Sequence, residues 1–220
     1  MADQLPIFPL NTVLFPGMPL PMHIFEERYR RLLRIRRGQE VIFGVSLLQP
    51  GEQEAGGIAG FHAVGTTARL VSRRSYSDGR ADIVVSGIDR FRVMNVNWDA
   101  GYCVADIAYC GDATGDPGLT AQLLRQASRK FLRYVKGITR MTGREFTGVT
   151  ISSDPSEASW DLTTRLPLHT WERQEILEID NVIDRLKLVM SRIDRENALL
   201  YRGGAAGLAI NYTGGLFSVN

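Results

Sequence analysis

With 220 residues, 44% hydrophobic and 23% charged, the chain has the size and make-up of one large or two small soluble globular domains. A formal net charge of +2 excludes an overall polyanion-binding balance. Lys130, Lys136 and Lys187 are the only lysines, so 23 of the 26 basic residues are arginine, which is weak support for phosphate recognition.

No apolar run reaches the roughly 18 residues of a membrane span. Met1 to Gln4 lacks the basic and apolar regions of a signal peptide. No membrane association and a cytoplasmic location are therefore expected. Cys103 and Cys110 are the only cysteines. Their odd separation on one strand points them to opposite faces, so no internal disulfide is expected and a reducing compartment fits.

Leu5 to Tyr29 holds five prolines, Pro6, Pro9, Pro16, Pro19 and Pro21, among apolar residues. Proline fixes φ and donates nothing to a ladder. The stretch therefore reads as short extended pieces with corners, Phe15-Pro16-Gly17-Met18 being a turn. Phe25 to Arg37 then reads as a helix with Phe25, Tyr29, Leu32 and Leu33 as its apolar stripe, stopped by Gly38. Val41–Leu48 is a buried-type strand, Pro50–Gly57 a loop, and Ile58–Val71 one or two short strands. Ser77-Asp78-Gly79-Arg80 is a hairpin turn, because glycine accepts φ > 0. Strands are expected again at Ile83–Ser86, Phe91–Val96 and Tyr102–Tyr109. Many short strands joined by turns predict a closed or nearly closed barrel.

Composition shifts at Gly111–Gly118, read as a linker. Asp116-Pro117 and Asp154-Pro155 are helix starts. The first helix is expected over Leu119–Val135 and the second up to Leu166-Pro167, with irregular chain at Gly137–Ser153 between them. Thr170 caps a third, running to about Leu200, with Ile176, Ile179, Ile183, Leu186, Met190 and Ile193 as its stripe. Residues 203–220 read as a Gly-rich tail, and a homodimer formed through it is an expectation.

The search for chemistry finds no phosphate loop, dinucleotide fingerprint, nucleophile elbow, HExxH or CxxC. His23, His62 and His169 are scattered, so no metal site, cofactor site or catalytic residue is assigned. His23 reads as a half-buried histidine bonding backbone at a proline corner. Glu26 and Glu27 do not face each other on a helix, and Glu26 is expected to hold Arg90. The run Arg28, Arg30, Arg31, Arg34, Arg36 and Arg37 could bind RNA phosphates. The near-neutral net charge and the lack of an aromatic stacking motif favour a solvated helix face instead. Trp98, Trp160, Trp171 and Phe217 could line a peptide groove, but large aromatics more often serve the core.

Leu14-Phe15-Pro16-Gly17-Met18, Leu20-Pro21-Met22-His23-Ile24-Phe25-Glu26 and Arg28-Tyr29 stand in an order and spacing that resembles the N-terminal domain of ATP-dependent Lon proteases. Val64-Gly65-Thr66, Asp78-Gly79-Arg80, Gly87-Ile88-Asp89-Arg90-Phe91, Glu172 to Glu178 and Arg185-Leu186 extend the similarity over roughly residues 5–197. The resemblance implies an α+β protein. A PUA-like, mostly antiparallel β-barrel with one short helix would occupy 1–112 and a helical bundle 118–202. It also implies a non-catalytic module that binds unfolded or exposed protein segments, with a Lon-type protease as a further expected partner. The binding groove is expected between barrel and bundle. Gly65, Gly79 and Gly87 then read as residues that permit turns or bulges. Nucleic-acid binding and a small-molecule enzyme are the alternatives.

Overall fold

The computed structural model describes residues 3–35, 40–49, 60–98, 101–146 and 148–203. The expected loop at Pro50–Gly57 and the expected tail beyond Gly203, with Phe217, lie outside the described residues. The chain divides into two compact units, Met1–Gly111 and Asp112–Asn220.

In the first unit, strands β1 (Asp3–Leu10), β2 (Pro19–Ile24), β3 (Ile42–Leu48), β4 (Phe61–Ser75), β5 (Ala81–Asn97) and β6 (Val104–Tyr109) form one sheet. Its order is β2-β5-β4-β3-β1-β6, and a further β5–β6 pairing closes it into a barrel. Among the described strands of this unit, β1–β3 is a parallel pair and the other pairings are antiparallel. Closure removes the edges of the ring β5-β4-β3-β1-β6 and leaves β2 as an outer strand on β5, which is long enough to serve both. One stretch of β5 pairs with β6, and the stretch Ala81–Ser86 pairs with β2 and with the far end of β4.

The β4–β5 hairpin corrects the sequence reading. What looked like several short strands is two strands of 15 and 17 residues. Register shifts between Thr66 and Ala68, between Leu70 and Ser72, and between Val93 and Asn95 interrupt the two-residue period, so each strand reads as fragments. The turn stands as expected, with Gly79 at φ 84. Gly87 and Gly65 answer to close packing rather than to a turn. A Cβ on Gly87 would lie 2.1 Å from the Phe15 carbonyl oxygen, and one on Gly65 2.4 Å from that of Val45.

Inside the barrel Phe8 stacks on Tyr29 and on Phe43, each at 4.0 Å between ring centroids. Helix α1 (Glu27–Ile35) contributes Tyr29, Leu32 and Leu33 to this core. Phe25 precedes the helix and is exposed, so it does not belong to the apolar stripe.

The second unit holds α2 (Pro117–Thr142), α3 (Pro155–Thr164), α4 (Thr170–Leu177) and α5 (Val182–Gly203). Asp116 and Asp154 cap α2 and α3 as their Asp-Pro signals predict. Helix α2 runs through Gly137 and stops at Gly143, whose φ is 67. The expected single last helix is two. The break lies at Glu178–Asn181, where the Asn181 side chain accepts from the backbone N–H of Ile183 at 2.9 Å and of Asp184 at 3.2 Å. The cap of α4 is His169 rather than Thr170, with the Glu172 carboxylate accepting the His169 N–H at 3.0 Å.

Asp112–Gly118 of the expected linker belong to this unit. Ala113 bridges to the helix break, donating to the Asp180 carbonyl at 3.0 Å and accepting from Val182 at 2.9 Å. Asp112 forks onto Arg185 at 2.9 and 2.7 Å. The Arg185 guanidinium lies 3.6 Å from the Trp160 ring centroid and also donates to Ser159 and to the Ile179 carbonyl. Arg185 is fully buried.

Candidate functional site

Among the described residues of the barrel unit, one surface with a cleft is the three-stranded region β2–β5–β4. Pairing registers put His23 opposite Asp82 and Asp82 opposite Arg74, with Pro21, Val84 and Ser72 forming the next row. Side chains in register share a face. Neighbouring positions Ile24, Ala81, Ile83 and Val85 point the other way and are buried in the core. The outer face is an open cleft of about 570 Å³, lined among others by Pro21, His23, Arg74, Asp82 and Val84.

Its polar centre is Asp82. His23 Nδ1 lies 2.6 Å from one carboxylate oxygen, and the Tyr76 hydroxyl donates to the other. These hydrogen bonds, His23's first and Tyr76's second, hold the Asp82 carboxyl below its ordinary range. An ionised carboxylate only accepts, so Nδ1 carries the proton of that bond. The same contact pushes the Tyr76 hydroxyl up. Around this centre the Phe25 ring lies 6.2 Å from His23, and the Arg74 guanidinium 5.7 Å from the Tyr76 ring centroid. Phe25 is 61% exposed, a large value for an apolar side chain beside a polar cluster.

His23 therefore bonds a carboxylate across the strands rather than backbone at a corner. Glu26 does not hold Arg90. It is paired with Arg28 at 2.6 Å, whereas Arg90 is buried and donates to the Gly111 carbonyl. The arginine helix is partly spoken for as well. Arg30 donates to the carbonyls of Asp78 and Gly79, tying α1 to the hairpin turn. Trp160 is core and Trp98 is half-buried against the barrel, while Trp171 is exposed. In the second unit Glu172 is buried between Arg195 and Arg192. Burial pushes its carboxyl up, but Arg195, the His169 N–H and Arg192 outweigh that and bring it below the ordinary value.

The arrangement can hold a ligand but does not offer a nucleophile. Ser72, the hydroxyl of the cleft, stands on β4 in the row of Val84 and Pro21, two strands and one row away from His23, beyond hydrogen-bond reach. Among the described residues no cluster of three or more His, Cys, Asp or Glu could hold a metal ion, and no helix is long and apolar enough to cross a membrane. The constellation was hidden in the sequence because His23 and Asp82 are 59 positions apart. The available signal was the Asp-Gly turn, which fixes β4–β5 pairing and so places Arg74 opposite Asp82.

Residues 4–195 match the family described as the ATP-dependent protease La (LON) substrate-binding domain. The chain belongs to the Lon substrate-binding domain family. It is 23% identical over 198 residues to Lon protease of Escherichia coli (strain K12), covering 90% of this chain and 25% of that protein. Lon protease 2 of Myxococcus xanthus is 27% identical over 202 residues, with 91% and 24% covered. The chain thus spans about a quarter of the length of these relatives. Among solved structures, a Lon N-terminal domain protein from Xanthomonas campestris is similar with a TM-score of 0.59 and 28% identity, over 86% of this chain and 98% of the other. The N-terminal domain of Lon protease from the Mycobacterium avium complex has a TM-score of 0.62 at 16% identity, covering 87% and 98%, and speaks to the fold alone. The Lon-type motifs of the first 90 or so residues lie in β2, in the turn before it, in α1, in the β4–β5 hairpin and in β5.

Proposed function

We propose that this Lon-family chain is a non-catalytic recognition module that holds exposed or unfolded segments of other proteins. The observation that carries the reading is the match of residues 4–195 to a substrate-binding domain family. The open face on β2–β5–β4 supports it, with apolar rings and a charged row side by side and no positioned nucleophile. Apolar surface supplies affinity for unfolded chain, and the charged row supplies orientation. Work as an adaptor beside a Lon-type protease, in the reducing cytoplasm, is the setting that fits best. Cys103 and Cys110 form no disulfide, which is consistent with it.

The alternative, RNA binding through the arginine helix, is weakened by the ties of Arg28 and Arg30 to protein acceptors. The test is a pull-down from cell lysate, washed at low and high salt. Unfolded proteins or a Lon-type protease should survive the high-salt wash, because apolar contacts are not screened. RNA that leaves with salt would show the steep dependence of phosphate binding and would contradict the reading.

A further inference from the structure

The outer edge of β2 constrains how a protein segment can be recognised. Pro19 and Pro21 have no N–H, so the β2–β5 ladder must run through Leu20, Met22 and Ile24. Pro19, Pro21 and His23 then face outward, and only His23 can donate there. A regular added strand is therefore blocked at this edge. At β2, recognition falls to the face of the sheet and its side chains.

On that face the charges are unequal. Asp82 already takes His23 and Tyr76 on its two oxygens. Arg73 donates to the Leu33 carbonyl and to Ser75, and Arg80 is held by Asp78 at 2.7 Å. Arg74 is exposed, and among the described residues its guanidinium contacts the Tyr76 ring and makes no ion pair. It is the cation of the cleft with donors to spare. The apolar row, Pro21 and Val84, lies one row away, about 7 Å along the strands. Phe25 flanks the same face beyond His23. One residue that bears both an apolar side chain and a carboxylate spans this distance. The cleft of about 570 Å³ has the size of a small-ligand site rather than of a track for a long segment.

We propose that this face captures the C-terminal end of a protein chain, with the terminal carboxylate on the Arg74 guanidinium and an apolar last side chain on Pro21 and Val84. This deepens the recognition reading above and rests on it. The planar guanidinium suits bidentate capture of a carboxylate. The ring of Tyr76 on one side and the Asp82 carboxylate across the strand keep the guanidinium on this face. Asp82 would repel the ligand were its charge not shared with two donors.

The test uses the full chain and three fluorescein-labelled decapeptides identical except at the end. One ends in two leucines with a free carboxylate, and the second is the same peptide amidated. The third is amidated and has glutamate as its last residue. Reduced, carboxymethylated α-lactalbumin serves as an unfolded-protein control. The free acid is expected to bind about tenfold more tightly than the amide, the scale of a hydrogen bond to a charged group. Arg74→Gln should bring that ratio to about one while the circular dichroism melt stays unchanged. Equal binding of acid and amide overturns the proposal, as does an undiminished ratio in R74Q. Tight binding of the glutamate peptide overturns the assignment to a chain end. Binding of α-lactalbumin with no peptide binding overturns this site alone, and binding of neither overturns the recognition reading as well.

Discussion

Single side chains hold this protein where its charge is least accessible to water. Arg185 is fully buried, and its fork onto Asp112 is what makes that burial tolerable. Removing one partner of such a pair leaves an uncompensated charge inside. Asp112→Ala should therefore cost about 3–5 kcal/mol in urea unfolding. Glu172 makes a pH prediction. Its folded carboxyl lies below the ordinary 4.5, so its stabilising contribution is present above that pH and is lost as pH falls through the folded value. Unfolding followed from pH 7 down to pH 3 should show a loss that Glu172→Gln lacks. Cys103 acts in the opposite sense. Burial pushes its thiol up to about 11, so it stays protonated and inert at neutral pH. Its contribution is complete below pH 9 and fades as pH rises toward 11. Thiol titration of the native protein should give slow reaction of Cys103, and fast reaction after denaturation. A rapid native reaction at Cys103 would contradict its placement in the core.

At the scale of elements, prolines and glycines set the edges and the close approaches. Pro19 and Pro21 deny β2 an outward ladder, so replacing both with valine should create a template for strand pairing. Sedimentation velocity should show that variant forming larger assemblies than the parent. Gly87→Ala would push a Cβ against the Phe15 carbonyl oxygen. Backbone cannot step aside cheaply, and a cost of about 1–3 kcal/mol is expected in denaturant melts. How far the elements were legible follows from what local chemistry marks. Asp-Gly at 78–79 and the Asp-Pro caps announce themselves because their side chains act on adjacent backbone. The length of β4 and β5 does not, because bulges break the alternation that identifies a strand. The break between α4 and α5 was hidden by the stripe itself. Ile176, Ile179 and Ile183 keep helical spacing across it, and only the Asn181 cap ends the ladder.

At the scale of the molecule, family motifs and physical roles coincide only in part. Gly87 and the proline lead shape the barrel, and Arg185 locks the helical unit. The cleft draws on positions that no motif pairs, such as Arg74 and Tyr76, and it comes into being only when three strands align. That is why the fold was readable and the site was not: a binding face is made by cross-strand neighbours, not sequence neighbours. Recognition of unfolded chain at this face is the central proposal. Its most direct test is titration of the full protein with reduced, carboxymethylated α-lactalbumin and, in parallel, with native α-lactalbumin. Saturable binding of the unfolded form that persists at high salt is expected, and none of the native form. Equal binding of both forms, or binding that disappears with salt, would contradict it.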